Sequence, residues 1–226
     1  MRRAGIAIKM SQTARLSSKI EPSVHQEKGP AAGLCGAREE TSGRGRDHKM
    51  RYGAKQLAEI LQTHAKFVKG DSAGKRADFS GANLAGANLR GANLAYALLH
   101  GANLEKADLR EAKLGGADFS GAKMKRADLR GADLTETNLA GADLTEAQLG
   151  GAECLRADLG GAILRGANLR VANLRYTNIR GADLRGADMT TAVLRETDLD
   201  GVDLTGLDLS TTLMPRGWKA SAEAKK

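Results

Sequence analysis

Apolar and polar positions follow a period of five from Ala77 onward. The units read Ala77-Asp78-Phe79-Ser80-Gly81, Ala82-Asn83-Leu84-Ala85-Gly86, and so on to Leu207-Asp208-Leu209-Ser210-Thr211 without an insertion. The third position is always apolar, and is Leu except at Phe79, Phe119, Met124, Cys154, Ile179 and Met189. The first is Ala except at Thr137, Thr177, Thr197, Val202 and Leu207, and the second is mostly Asp or Asn. On an α-helix, successive third positions would rotate by about 140° and spiral around every face. On a flat strand they would alternate between faces. A bend within every unit removes the conflict, because first and third positions then always point inward and the other three outward. The expectation is an all-β coil with a narrow core. Leu84, Leu89, Leu94, Leu104, Leu109, Leu129, Leu134, Leu144, Leu159, Leu169 and Leu184 are assigned to that core.

The fifth position sets the number of units per coil. Gly fills it without exception at Gly81, Gly101, Gly121, Gly141, Gly161, Gly181 and Gly201, while the other three phases are broken by residues such as Tyr96, Lys106 and Glu111. A 15-residue coil fails at once, because Tyr96 follows Gly81. Twenty residues means four units per coil.

Composition agrees with many small packing units in place of one large core. Aromatics are 3% of the 226 residues, against 41% hydrophobic residues supplied mostly by Ala and Leu. Cys35 and Cys154 are too few and too far apart for a disulfide framework or a zinc pattern. No apolar run is long enough to span a membrane, and the opening residues have too short an apolar stretch for a secretory signal. A soluble, cytoplasmic protein is expected. The formal charge of +8 divides unevenly: residues 1–76 and 215–226 are basic, whereas 77–214 are mildly acidic.

Four segments follow. Residues 1–49 read as a basic, disordered tail. Three readings of it stand open: a start-site artefact upstream of Met50, a solvated tail with non-specific nucleic-acid affinity, or a targeting segment. Residues 50–76 read as a capping helix and linker, with Leu57, Ile60, Leu61, Phe67 and Val68 on one face of a helix over 54–69. His64 shares that stripe, and with no evident partner it is assigned to the core or its rim and not to a ligand set. Residues 77–214 form the solenoid, closed at its far end by Val202, Leu207, Leu213, Met214 and Trp218. Residues 215–226 form a basic C-terminal tail.

The motif Ala-(Asp/Asn)-Leu-X-X, as in Ala127-Asp128-Leu129-Arg130-Gly131 and Ala182-Asp183-Leu184-Arg185-Gly186, resembles the pentapeptide-repeat family. The resemblance covers about three-fifths of the chain. It implies a right-handed quadrilateral β-helix of about seven coils, roughly 32 Å long at the spacing of β-strands, with an N-terminal α-helical cap. Some members of that family resemble B-DNA in shape and charge and bind type II topoisomerases such as gyrase, blocking them or protecting them from quinolones.

No catalytic constellation is evident. The histidines His25, His48, His64 and His100 lie in unrelated contexts, and neither a zinc-protease motif nor a phosphate loop is present. Cys154 occupies a third position, so its thiol is expected in the core and inert. No enzyme activity, cofactor or metal is expected. Function is written at the outward fourth position. Arg165, Arg170, Arg175, Arg180 and Arg185 are consecutive there, with Arg195 two units later, and form a basic belt around the rod. Arg90, Arg110, Arg130 and Arg170 share one phase and are expected to stack. Beyond the belt, Glu196, Asp198, Asp200, Asp203 and Asp208 form an acidic surface without a base. The belt either pairs with neighbouring acids for solubility or docks an acidic partner. A rigid protein-interaction scaffold is the favoured reading and DNA mimicry the alternative, because the belt interrupts the negative charge that mimicry needs. Phe occupies the third position only at Phe79 and Phe119, and the short tail offers little for a dimer. Direct nucleic-acid binding would rest on the basic tails and the belt, without aromatic platforms to support it.

Overall fold

A computed structural model describes residues 52–219. The expectations for residues 1–49, Met50 and the last residues of the C-terminal tail lie outside the described residues. Within them, each second position pairs in parallel with the second position twenty residues on: Asp78 with Leu98, Asn83 with Asn103, Asn88 with Asp108, Asn93 with Lys113, and so on to Asn173 with Val193. That register means four units per coil and a four-faced solenoid. Faces 1 to 4 begin at Ala77, Ala82, Ala87 and Ala92, and each recurs every twenty residues.

The same backbone bonds recur in the laddered units from Ala77 to Val171. Phe79 N–H donates to the Leu98 carbonyl (2.7 Å), Gly81 N–H to the His100 carbonyl (2.8 Å), and Leu98 N–H back to the Ala77 carbonyl (3.0 Å). Ala82 N–H closes the turn on the Phe79 carbonyl at 2.9 Å. Backbone groups are thus satisfied although no strand is longer than a single bridge. The second-position side chain fixes the bend. Asp78 Oδ1 accepts the Ser80 N–H at 2.9 Å, and Asp128 Oδ1 the Arg130 N–H at 3.2 Å. This local competition for the backbone is what Asp and Asn do best.

Every fifth position except Thr211 has a positive φ, from 55° at Arg156 to 77° at Gly206. That left-handed corner is the physical reason for the glycines. First and third positions fill the interior, and all eleven leucines assigned to the core are buried. Each fully buried Leu contributes about 1.5–3 kcal/mol. Threonines replacing Ala add a hydroxyl but find it a partner: Thr137 Oγ1 donates to the Leu114 carbonyl at 2.9 Å and Thr177 Oγ1 to the Cys154 carbonyl at 2.7 Å. Cys154 is itself buried, and burial pushes its thiol up to about 12.

Helix α1 spans Ala54–Val68. It ends in a left-handed Gly70 (φ 76°), with Gly70 N–H on the Phe67 carbonyl and Asp71 N–H on the Lys66 carbonyl, the paired bonds of a Schellman stop. Gly74 then passes so close to the helix end that a Cβ there would lie 2.1 Å from the Phe67 nitrogen. Leu57, Ile60 and Leu61 pack on the first coils, and Tyr52 meets Phe79 edge-on at 5.3 Å between ring centroids. Phe67 is the exception to the expected stripe: it is exposed and stacks on His64 at 5.7 Å. His64 does have a partner. It is buried, and its Nδ1 accepts the Ala77 N–H at 3.0 Å. Ala77 opens the first unit, so no preceding unit supplies the third-position carbonyl that later first-position amides use, and the imidazole fills that role.

The far end departs from the expected regularity. Bridges at Asn178, Asp183 and Asp188 to the following coil are absent, although turns persist, with Val202 N–H on the Leu199 carbonyl at 3.1 Å. The ladder returns only on face 4, where Val193 pairs with Leu213. The larger first-position residues Val202 and Leu207 accompany the opening on faces 2 and 3, whereas face 1 opens over Thr197, no larger than the Thr177 of the bridged coil before it. Directly above Val202 and Leu207, Ala182 and Ala187 are 6% and 7% exposed, while the equivalent Ala162 and Ala167 one coil earlier are fully buried.

Candidate functional site

The belt arginines project from fourth positions, whose backbone the preceding turn sets. Arg170 N–H bonds Asn168 Oδ1 at 3.1 Å, and Arg180 N–H bonds Asn178 Oδ1 at 3.2 Å. Four of their side chains turn along the rod toward acids of the next coil, and Arg185 folds back onto the aspartate of its own unit. Arg170 reaches Asp188 (3.4 Å), Arg175 reaches Glu196 (3.4 Å) and Arg180 meets Asp198. Arg165 and Arg185 share Asp183, at 2.5 and 2.7 Å. Arg185 foremost, and Arg165 with it, hold the Asp183 carboxyl well below the usual carboxylate range. Such exposed pairs contribute little net stability, but they do use up the charge. Arg195 alone of the six makes no ion pair among the described residues.

The acidic surface is divided in the same way. Glu196 and Asp198 are taken by the belt. Asp198, Asp203 and Asp208 also accept the N–H groups of Asp200, Thr205 and Ser210 at 2.9–3.0 Å. Those bonds, with the Ser210 hydroxyl foremost at Asp208, hold all three carboxyls below their ordinary value. The register aligns Arg90, Arg110, Arg130 and Arg170 in one column on face 3, interrupted by Gly150, and their charges are taken up by neighbouring acids. Arg110 and Arg130 fold onto the aspartates of their own units, Asp108 and Asp128, at 2.6 Å, and Arg90 reaches Glu111 at 2.7 Å. A bidentate bond to an adjacent carboxylate offsets the repulsion within such a column. It also depresses the Asp108 carboxyl to about 2.

Two clusters appear that the linear sequence hid. His100 Nδ1 lies 2.8 Å from Ser120 Oγ, which donates to Asp118 Oδ1 at 2.6 Å. These are the residue types of a hydrolytic triad wired in another order. The hydroxyl proton is held by the aspartate, so the imidazole must donate to the serine and is no base toward it. On face 4 and its corner, the guanidinium carbons of Arg156 and Arg175 lie 5.9 and 6.0 Å from the Tyr176 ring centroid. A hollow of about 370 Å³, lined by Tyr176, Thr177, Asn178, Arg180, Glu196 and Asp198, adjoins that ring. Both clusters bring together residues about twenty apart, a spacing visible only once the coil length is applied to the surface positions. Among the described residues, no group of three or more His, Cys, Asp and Glu side chains is placed to hold a metal ion, and no helix is long and apolar enough to cross a membrane.

A four-faced coil of five-residue units defines the class, and the sequence comparison agrees. The family model for pentapeptide repeats matches eight copies over residues 75–110, 112–151 and 152–190, so the chain belongs to the pentapeptide-repeat family. Among solved structures it is similar to the pentapeptide-repeat protein Rfr23 from the cyanobacterium Cyanothece 51142. Identity there is 31% over 50% of this chain and 63% of the other, with a TM-score of 0.39. HetL from Nostoc sp. strain PCC 7120, involved in heterocyst differentiation regulation, is 30% identical over 54% of this chain and 73% of its own, with a TM-score of 0.26. QnrB1, a plasmid-mediated fluoroquinolone resistance protein, is 22% identical over 59% and 85%, with a TM-score of 0.34. The chain spans less than two-thirds of the length of Rfr23. No curated protein matches it.

Proposed function

We propose that this chain is a non-enzymatic, right-handed quadrilateral β-helix that acts as a rigid scaffold for protein–protein contacts. The ladder carries this reading. From Asp78 to Val193 the twenty-residue register never slips, and Leu and Ala fill the interior. Only the outward positions are left to vary, and they stand at fixed spacings on a stiff frame. Within that frame Arg165, Arg170, Arg175, Arg180 and Arg185 meet an acidic partner only by exchanging their own acids for the partner's. Arg195 needs no such exchange.

Mimicry of DNA toward a topoisomerase is the second reading, and face 1 favours it. Asp78, Asp118, Asp158, Asp198 and Asp200 lie there with Arg180 as the one Lys or Arg among that face's outward residues. A gyrase supercoiling assay at several salt concentrations, with and without a quinolone, separates the two. The scaffold reading predicts no effect at high protein excess. Salt-sensitive inhibition, or protection from the drug, would replace it with mimicry.

A further inference from the structure

The C-terminal half of face 4 carries residues that the solenoid itself does not need. Two consecutive corners are occupied by Val171 and Tyr176, with φ of 61° and 57°. A bulky or β-branched side chain in that region costs about 1–2 kcal/mol relative to Gly. Neither residue repays the cost by burial, for they are 63% and 51% exposed. Other awkward corners are compensated. The Tyr96 ring lies against Gly116, where a Cβ would come within 2.6 Å of it, and the Thr191 hydroxyl donates to the Thr190 carbonyl at 2.7 Å. Val171 stands 63% exposed, and Tyr176 meets the two guanidinium groups of Arg156 and Arg175.

Leu155 and Val193, both half-buried, and Leu213, 46% exposed, extend the apolar surface along the same face. Its charge is positive and incompletely matched. Arg156 and Arg175 pair loosely with Glu136 and Glu196 at 3.6 and 3.4 Å. Glu153 is engaged by Asn173 Nδ2 at 2.7 Å. Arg195 and Arg216 pair with no acid among the described residues. Face 4 is also where the ladder runs unbroken into the last coil, from Glu153 through Asn173 and Val193 to Leu213. The patch is therefore held rigidly.

The geometry points to face 4 between Leu155 and Arg216 as a docking surface for an acidic protein segment that also carries aliphatic or aromatic side chains. This deepens the scaffold reading and rests on it. Tyr and Arg at the centre of such a patch are the residues that dominate protein interfaces. Arg195 supplies a charge-assisted bond to a carboxylate. Tyr176 is the one aromatic plane of the patch, and the rest of its apolar surface is the aliphatic Leu155, Val171, Val193 and Leu213, which suit apolar side chains better than a run of stacked bases and so favour a polypeptide over a nucleic acid.

The test is selection of a phage-displayed random-peptide library on the immobilised full chain, with single-stranded oligo-dT as a parallel probe. The selected peptides are expected to combine Asp or Glu with Leu, Ile, Phe or Trp. Their affinity should fall about tenfold or more in the double variant Tyr176→Gly, Arg195→Glu and hold in Tyr96→Gly. Gly is the residue the corner prefers, so an unchanged or raised melting temperature verifies the fold of the double variant. Acidic–apolar peptides that bind that variant with undiminished affinity would overturn the face 4 assignment while leaving the scaffold reading in place. A selection that enriches no peptide would overturn both. Oligo-dT binding that depends on Tyr176 and Arg195 would assign the patch to nucleic acid and overturn the proposal.

Discussion

The coils between Ala77 and Glu196 and the coil that follows them obey the same five-residue rule, yet they are held differently. In the former, Ala at the first position lets consecutive coils approach until every second position is bridged. In the latter, Val202 and Leu207 stand where Ala would, and the amides of Ile179, Leu184 and Met189 find no acceptor across the coil among the described residues. On face 4, Thr212 restores a small first position, its hydroxyl donates to the Met189 carbonyl at 2.9 Å, and the bridge reforms. The five-residue pattern makes the turn. On faces 2 and 3 a larger first-position side chain goes with the lost bridge, while on face 1 Thr197 makes the same inward bond, to the Leu174 carbonyl, and the bridge is lost all the same.

That comparison can be broken most severely from inside. Leu134→Asp buries an unpaired carboxylate in a core one residue thick, and the cooperative thermal melt is expected to disappear. The equivalent Leu209→Asp, on the partly exposed last coil, is expected to leave the melt cooperative. Equal effects from the two would show that the coils are equally tight.

Exchanging first-position residues should carry the difference from one region to the other. Ala127→Leu is expected to cost about 1–3 kcal/mol through overpacking and to speed amide exchange in the coils on either side. Val202→Ala together with Leu207→Ala should slow exchange at Leu184 and Met189 as the ladder closes on faces 2 and 3. Unchanged exchange in both variants would remove side-chain size as the cause.

A smaller effect separates the two ends. His64 is held below its ordinary value of 6.5, chiefly by burial, with the Arg76 charge adding to it. Its neutral form accepts the Ala77 N–H, so the cap's contribution is complete above 6.5 and is lost as pH falls through the lowered folded value. Acidification is expected to raise exchange at the Ala77 amide before any change in the last coil. In His64→Gln that pH dependence should vanish, at a loss of about 1 kcal/mol from the bond itself. A pH response that persists in the variant would trace it to other groups.

Much of this was legible along the chain because the unit's own turn is a local matter. Asp or Asn at the second position bonds the amide two residues on, Leu and Ala turn inward, and Gly accepts the corner. The phase of Gly81, Gly101 and their successors even revealed the coil length. Inter-coil side-chain choices were less accessible. Arg110 and Arg130 took the aspartates of their own units, while Arg170 and Arg180 reached across to Asp188 and Asp198. Whether a guanidinium turns back or forward depends on which carboxylate lies within reach, and that is settled only once the coils are stacked.

The sequence by itself determined the unit, its inward and outward positions, and the number of units per coil, because all three follow from forces acting within five residues or from strict repetition. The tertiary structure decided which residues meet across a coil. It brought His64 to the first free amide, His100 to Ser120, and Arg156 and Arg175 to Tyr176. It also opened the last coil over Val202 and Leu207. Those outcomes depend on side-chain length and volume at separations near twenty residues, where stacking distance governs and the five-residue pattern does not.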